Sequence, residues 1–293
     1  MIFKKNIKKN KIFIIISNIS YLLNYKTYLI GGYVRNYLLF NKKSYDIDIV
    51  TTGNSIILAK EFSKKLKIKN IFFFKRYKTA IVKYNNYNIE FVSTRKEYYN
   101  IYNNKPIVKI YKNIIEDQNR RDFTINTIAI SLNKNNFCKI IDTFNGIKDI
   151  KNKIIKTPIN PNITFYDDPL RIIRAIRFVS QLNFKLKNNI LLAISNNIDR
   201  LRIISIERII QEFNKIIITK KPSIGLKLMF KLKLLNLIIP EFITLNKKNK
   251  YNINIYKKNF KKTLKVIDII SKKKKKNLWL KWAILLHNIG KPL

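Results

Sequence analysis

The fold of this protein is decided by two neighbouring stretches, Leu29-Ile30-Gly31-Gly32-Tyr33-Val34-Arg35 and Asp46-Ile47-Asp48. The first predicts a strand that runs into a glycine pair and then into a helix, where backbone N–H groups can approach a polyphosphate. The second predicts a strand with both carboxylates on one face, because side chains two residues apart on a strand point the same way. Adjacent carboxylates repel unless a cation lies between them, and such oxygen ligands suit Mg²⁺ shared with substrate phosphates.

Arg35 and Glu90 extend this candidate site. Arg35 follows the glycine pair on the first turn of the predicted helix, where it offers a fork of hydrogen-bond donors to phosphate. Glu90 lies at the centre of a predicted strand and can supply a third carboxylate. Each feature alone has an ordinary structural explanation, such as a turn that needs glycine or an exposed strand end, so the interpretation depends on their combination.

Composition limits the classes of protein to which the chain can belong. The 293 residues carry 60 Lys and Arg against 17 Asp and Glu, a net charge of +43, and this length suggests about two domains. A single cysteine, Cys138, excludes an internal disulfide partner, and a single histidine, His287, excludes a multi-histidine metal site. The lysine excess has two open explanations, selected basicity and drift towards A/T-rich codons, and under either the surface attracts polyanions.

No segment predicts a membrane span. The uncharged stretch 12–25 is too short to cross a bilayer, although the lysines before it give it a superficial likeness to a signal peptide. We expect it to be the first helix of a cytoplasmic protein.

Hydrophobic patterning predicts an α/β first half and a helical second half. Strands are expected at 28–30, 46–50, 79–84 and 88–93, helices at 34–40, 55–66 and 122–130, and a hairpin around 133–136. From Pro169 onward the pattern is helical, and the lysine run 272–276 is interpreted as a solvated face or linker.

Four more motifs follow the glycine pair and the aspartates. They are Arg120-Arg121-Asp122-Phe123-Thr124-Ile125-Asn126, Asp142-Thr143-Phe144-Asn145-Gly146-Ile147-Lys148-Asp149, Asp167-Asp168-Pro169-Leu170-Arg171-Ile172-Ile173-Arg174-Ala175-Ile176-Arg177-Phe178 and Ser205-Ile206-Glu207-Arg208-Ile209-Ile210-Gln211-Glu212. In this order the five motifs resemble those of the bacterial-type tRNA nucleotidyltransferase (CCA-adding) and poly(A) polymerase family. Two positions depart from the family pattern: Asn36 replaces an Asp, and Asp167 replaces the Glu of many members.

The resemblance implies an α+β fold with three parts. A nucleotidyltransferase-type head with a small mixed β-sheet and helices is expected at 1–155, a helical neck with the nucleobase-selecting motif at 156–220, and a helical body at 221–293. The end of the body, Leu286-His287-Asn288-Ile289-Gly290-Lys291-Pro292, resembles the His-Asp doublet of HD phosphohydrolases. Because Asn288 replaces the aspartate and no second histidine exists, we interpret it as a truncated remnant without a metal centre.

The resemblance also implies roles for individual residues. Asp46 and Asp48 are expected to be catalytic and to hold Mg²⁺, with Glu90 as a third catalytic carboxylate. The expected nucleotide-binding residues are Gly31, Gly32, Arg35, Arg121, Asp122, Asn126, Asp168, Arg171, Arg174 and Arg177. Asp122 and Asn126 are spaced to share one face of a helix and address the ribose, whereas Arg120 has an open structural alternative, an ion pair with Asp117.

Asp168 and Arg171 are neighbours at a predicted helix start. An Asp can accept from the exocyclic amine of C or A while an Arg donates to ring acceptors, and G and U present the opposite pattern on those edges. The family resemblance assigns this selection of C and A to these two residues. In the fifth motif we expect structural roles, with Ser205 as an N-cap and an Arg208–Glu212 pair.

The predicted reaction is template-independent transfer of CMP and AMP from CTP and ATP to the 3′ end of tRNA, with release of pyrophosphate. The expected partner is tRNA, bound at its acceptor stem and 3′ end, and no interaction with a membrane is expected. Two alternatives stay open: a poly(A) polymerase that adds A-tails to RNA, and a catalytically decayed RNA-binding relative.

Overall fold

The computed structural model describes residues 6–42, 44–100, 103–240, 250–272 and 277–287. The chain divides into two units, Met1–Asn152 with Lys156–Asn160, and Lys153–Ile155 with Pro161–Leu293. The predicted division into head, neck and body stays a prediction. The last residues of the HD-like segment, 288–292, and the lysines 273–276 lie outside the described residues.

The first unit contains the elements that carry the candidate site. In chain order they are α1 Lys11–Leu22, β1 Thr27–Ile30, α2 Gly32–Phe40, β2 Asp46–Thr51, α3 Ser55–Lys65, β3 Ile71–Phe74, β4 Thr79–Tyr84, β5 Tyr87–Ser93, β6 Arg95–Asn100, β7 Asn103–Ile110, α4 Ile114–Asn119, β8 Ala129–Ser131, β9 Ile140–Ile141 and α5 Gly146–Lys151. Short 3-10 turns occupy Lys75–Tyr77, Thr124–Asn126 and Lys134–Asn136. The strand–glycine–helix order and the strand of the aspartates are confirmed.

A mixed sheet forms the centre of this unit, in the strand order β3-β4-β5-β2-β1-β8-β9. Strands β2 and β5 run parallel, and the other neighbours in the sheet pair antiparallel. This arrangement confirms the predicted α+β fold class.

The two faces of the sheet have different neighbours. On one face α3 packs its buried Phe62 against Phe91 of β5, with the ring centroids 5.5 Å apart. The other face carries an apolar cluster that includes Val50, Val92 and Ile114. The two aspartates lie on this same face, at the start of β2, where they precede Val50 along the strand.

The sequence analysis did not predict the hairpin of β6 and β7, which forms a separate two-stranded sheet. Its signal was weak because polar and aromatic residues mix without strict alternation in Arg95-Lys96-Glu97-Tyr98.

The predicted helix 122–130 is wrong. The chain makes only a 3-10 turn at Thr124–Asn126 and then enters β8, which pairs with β1. The Asp122 carboxylate accepts from the backbone N–H of Phe123 and from the amide of Asn126, and such local bonds compete with helical ones. The predicted contact between Asp122 and Asn126 therefore exists without the helix.

The second unit is mainly helical. Its elements are β10 Ile154–Ile155, α6 Pro161–Asp167, α7 Leu170–Leu182, β11 Lys185–Leu186, α8 Asn188–Asn197, a 3-10 turn Ile198–Ile203, α9 Ile206–Ile217, α10 Pro222–Lys231, α11 Leu235–Ile238, α12 Lys250–Lys272 and α13 Leu278–Leu286. Helix α7 packs against α9 and α10, and the short parallel pair β10–β11 is an addition to the predicted all-helical pattern.

The fifth motif makes structural contacts that differ from the predicted ones. Ser205 occupies the N-cap position of α9 but makes no side-chain capping bond. The predicted Arg208–Glu212 pair is wrong, because the buried Glu212 accepts from Arg177 at 2.7 Å and from Lys215 at 2.9 Å. A buried carboxylate binds the cations that the packing of α7 and α9 brings to it.

None of the helices within the described residues is both long and apolar enough to cross a membrane.

Candidate active site

Strand β2 places Asp46 and Asp48 on the same face. The intervening Ile47 is fully buried on the opposite face, whereas Asp46 is exposed and Asp48 half-buried. The predicted arrangement of the two carboxylates is therefore present at the start of β2.

The parallel register brings Glu90 beside them. Asp48 lies opposite Glu90 on β5, and Asp46 lies opposite Asn88, whose amide donates to Asp46 at 3.5 Å. Residues that are directly opposite on neighbouring strands point to the same face. Glu90 thus shares the face of the aspartates, as its predicted role requires.

The electrostatics of this face disfavour an uncompensated negative charge. Burial raises the pKa of Asp48, and the charges of Asp46 and Asp117 raise it further, against the opposing effect of Arg121 and Arg35. Burial likewise raises the pKa of Glu90, and the charge of Asp48 adds to this. The face consequently favours uptake of a proton or a cation.

The backbone of Gly31 lies directly beside the carboxylate of Asp48. A Cβ on Gly31 would lie 2.5 Å from Oδ2 of Asp48 and 3.3 Å from Nη1 of Arg121, and its φ of +81° is one that L side chains rarely adopt. A side chain is excluded here on both counts. Gly32, in contrast, meets nothing closer than Nη2 of Arg35 at 3.8 Å.

A buried carboxylate orients the arginine that faces Gly31. Asp117 of α4 accepts from Nε of Arg121 at 3.1 Å and from Nη2 of Arg120 at 2.5 Å. Burial alone would raise the pKa of Asp117, but the two guanidinium groups outweigh it and hold the pKa below its ordinary value. The ion pair of Arg120 with Asp117 is the structural alternative that the sequence analysis left open, and it is confirmed. Arg120 also pairs with Glu97 of the hairpin at 3.1 Å, which was not predicted.

A second chain of hydrogen bonds joins the first and second motifs. Arg35 donates from Nη1 to Asn126 at 2.6 Å, and Asn126 donates to Asp122 at 2.9 Å. Asn36, the departure from the family pattern, accepts from Nε and Nη2 of Arg35 at 3.1 and 2.8 Å. The sequence analysis did not predict the contact of Arg35 with Asn126, because these two residues are distant in the chain.

The third motif supports the second one. Asp142 accepts from the backbone N–H groups of Gly146 and Ile147 at the start of α5. Asp149 accepts from the hydroxyl of Thr124 at 2.6 Å. The Asp149–Thr124 bond is buried and holds the 3-10 turn that carries Asn126.

The fourth motif lies in the second unit. Asp168 accepts from the backbone N–H of Leu170 at 3.2 Å, and its Oδ2 is 3.9 Å from Nε of Arg171. Asp168 and Arg171 therefore meet at the start of α7 as predicted. Arg174 faces the ring of Phe178 at 5.9 Å, and Arg177 is committed to Glu212, which speaks for a structural role of Arg177.

The acidic face fits a hard divalent cation as a two-carboxylate site. Its donors are carboxylate oxygens, and the backbone of Gly31 approaches Asp48 so closely that no side chain fits between them. Within the described residues no three His, Cys, Asp or Glu side chains converge on one metal position. Mg²⁺ is commonly held by one or two carboxylates together with water and substrate phosphates, so this donor set is compatible with it.

Comparisons with known proteins agree with this geometry. A family model of the poly A polymerase head domain matches residues 27–156, and a model of the probable RNA and SrmB-binding site of polymerase A matches residues 183–245. The chain is 40% identical over 164 residues to the A-adding tRNA nucleotidyltransferase of Aquifex aeolicus, covering 56% of this chain and 19% of the relative. It is 34% identical over 215 residues to the CCA-adding enzyme of Staphylococcus epidermidis, covering 73% and 51%.

A solved structure of a tRNA-processing enzyme with CTP is similar in fold. The TM-score is 0.72 at 30% identity, over 93% of this chain and 70% of that one. The chain spans about half, or less, of the length of the two curated relatives.

Proposed function

Since the chain belongs to the bacterial-type tRNA nucleotidyltransferase (CCA-adding) and poly(A) polymerase family, we propose that it transfers CMP and AMP from CTP and ATP to the 3′ end of tRNA. Pyrophosphate is the second product, and no nucleic-acid template is needed. We also propose a cytoplasmic location, because tRNA is the expected substrate.

The observation that carries this proposal is the meeting of Asp46 and Asp48 with Gly31 and Arg121. Two carboxylates lie on one face, next to the backbone of Gly31 and the guanidinium group of Arg121. This combination suits a triphosphate with its cation. The raised pKa of Asp48 supports it, since burial and the neighbouring carboxylate favour a bound cation over an uncompensated charge.

Each residue of the head has a distinct task in the proposed reaction. Arg121, oriented by Asp117, binds the negatively charged phosphates, and the backbone at Gly31 and Gly32 lets them approach the start of α2. Arg35 positions Asn126, which together with Asp122 would hold the ribose. Glu90 adds negative charge beside Asp48.

Asp46 and Asp48 would hold Mg²⁺. When bound, the cation lowers the pKa of the attacking 3′-hydroxyl and neutralises charge on the triphosphate.

Base selection is proposed for the second unit. The Asp168 carboxylate and the Arg171 guanidinium lie together at the start of α7, as complementary hydrogen-bonding groups for C and A require. Arg174 follows on the same helix, and we retain it as a proposed phosphate contact.

The test uses tRNA transcripts that end before the first C, and transcripts that already end in C-C, each with labelled CTP and ATP. We expect a defined C-C-A end on the first and a single A on the second. The variant Asp46→Ala should abolish both while remaining folded, and Glu61→Gln, an exposed carboxylate of α3, should change neither.

Other products would indicate the alternatives. Addition of A only to the C-C end would match the A-adding relative, to which the chain is 40% identical. A long A-tail on unrelated RNA would indicate a poly(A) polymerase, and tRNA binding without incorporation would indicate a decayed relative.

A further inference from the structure

The edge strand β3 exposes three consecutive aromatic side chains. Phe72, Phe73 and Phe74 are 50%, 39% and 47% exposed. Large exposed apolar patches commonly mark an interaction surface. Phe73 points to the face that carries α3, where Nζ of Lys60 lies 5.7 Å from its ring centroid.

Phe72 points to the face of the candidate active site. The register across the sheet places Asp48 opposite Glu90, Glu90 opposite Ile81, and Ile81 opposite Phe72. Residues in one such row share a face. Three strand spacings put Phe72 about 14 Å from Asp48, which is the length of about four stacked nucleotides.

A cation accompanies the exposed ring. Nζ of Lys83, on β4 and on the same face as Ile81, lies 5.7 Å from the centroid of Phe72. Lys83 is exposed. An aromatic ring that can stack on a base, next to a cation that can attract a phosphate, is the combination that binds single-stranded nucleic acid.

We propose that Phe72 and Lys83 form a subsite for the single-stranded 3′ segment of the RNA substrate. The subsite rests on the proposed function, because it extends the carboxylate row towards the strand being lengthened. The base of an upstream nucleotide stacks on Phe72 while Lys83 contacts its phosphate. The subsite reads no base, since every base offers a π-face.

Charge selects RNA over a second copy of the chain as the occupant. The outer edge of β3 could pair with another strand, but lysines lie beside it on both faces, Lys83 on one and Lys60 on the other. Lysines at a sheet edge oppose such pairing, and a chain of net charge +43 repels itself while attracting a polyanion.

The test measures RNA affinity in an Asp46→Asn background, so that the RNA is not extended. The probes are an RNA hairpin with a single-stranded 3′ end and the same hairpin with a blunt end, both followed by fluorescence anisotropy. Phe72→Ala should weaken binding of the tailed hairpin about tenfold and leave the blunt one unchanged. Phe72→Trp should retain binding, because it keeps the stacking surface.

Phe73→Ala on the opposite face is the matched control and should leave both affinities unchanged. The proposal is wrong if Phe72→Ala binds the tailed hairpin normally, if the blunt hairpin loses as much affinity, or if Phe72→Ala abolishes a dimer of the parent. Thermal unfolding of Phe72→Trp and Phe72→Ala separates lost stacking from lost folding. Failure of the proposed function looks different: the protein with Asp46 intact would incorporate no nucleotide, yet the Phe72-dependent binding would persist.

Discussion

At the scale of single residues, Asp48 is the candidate site residue whose charge is most disfavoured by its surroundings. Its carboxylate is partly buried, shares a sheet face with Asp46 and Glu90, and lies close to Gly31. A charge that is partly buried beside like charges destabilises a fold, and a bound cation compensates it. We therefore expect removal of the Asp48 charge to have opposite effects on stability and activity.

We expect Asp48→Asn to reduce nucleotide incorporation at least about a hundredfold. Without divalent cation its thermal unfolding temperature should equal or exceed that of the wild type, because a buried charge is removed. Glu61→Gln is the surface control. Loss of stability in Asp48→Asn would contradict the electrostatic origin of the effect.

The raised pKa of Asp48 also sets a pH dependence. Its protonated form stabilises the fold, and this contribution is complete below the ordinary value of 3.8 and is lost as pH rises through the higher folded-state pKa. The difference in unfolding free energy between wild type and Asp48→Asn should therefore grow as pH rises through that range. Added Mg²⁺ should shrink this difference, since the cation replaces the proton. Urea titrations at several pH values check the sign.

The glycine pair is not equivalent residue by residue. Gly31→Ala places a methyl group 2.5 Å from Asp48 and forces a φ of +81° on an L residue, so we expect about 1–2 kcal/mol of destabilisation and loss of incorporation. Gly32→Ala, where nothing lies closer than 3.8 Å, should leave the free energy of unfolding nearly unchanged. Urea unfolding and a labelled-CTP assay of the two variants test this contrast, which equal effects would contradict.

At the scale of elements, α4 and the hairpin β6–β7 are joined by one buried ionic network. Asp117 binds Arg120 and Arg121, and Arg120 reaches Glu97 of the hairpin. The network holds Arg121 towards Gly31. Its members lie on separate elements, so local pattern predicted only the Arg120–Asp117 pair.

Asp117→Asn should destabilise the protein by about 3 kcal/mol, because it leaves two arginines without their buried partner. The pKa of Asp117 is lowered, so its contribution is present above the ordinary value of 3.8 and is lost as pH falls through the folded-state pKa. The difference from wild type should therefore vanish in acid. The Asp48→Asn difference also vanishes there, but the two have opposite signs at higher pH: Asp117→Asn is less stable than wild type, whereas Asp48→Asn is more stable. Chemical unfolding across the acid range, with exposed Asp199→Asn as control, provides the measurement.

At the scale of the whole molecule, the net charge of +43 predicts salt-sensitive binding of RNA. If about four phosphates are contacted, affinity should fall by about a factor of 50 between about 50 and 200 mM salt. The turnover at saturating RNA should change far less, because the site itself is partly buried. Equilibrium binding of RNA at graded salt concentrations tests this. An affinity that does not change with salt would indicate that the lysine excess reflects drift towards A/T-rich codons.

Local pattern predicted most of the elements of the first unit, since strands, turns and helices there depend on short-range periodicity. It failed at 122–130, where side-chain bonds from Asp122 and pairing of β8 with β1 override helical propensity. It also failed at Glu212, whose partners come from Arg177 as well as from its own helix. Both errors arose where a distant element supplies the stronger partner.

The amino-acid sequence by itself determined that two carboxylates share a strand face just after a glycine-bearing turn, because both features depend only on neighbouring residues and backbone geometry. Tertiary structure alone decided that Glu90 joins them, that Asp117 aims Arg121 at Gly31, and that Phe72 ends the same row. These outcomes depend on strand register and on burial of charge between separate elements. Both are set by hydrogen bonds and packing across the folded sheet, which no local pattern contains.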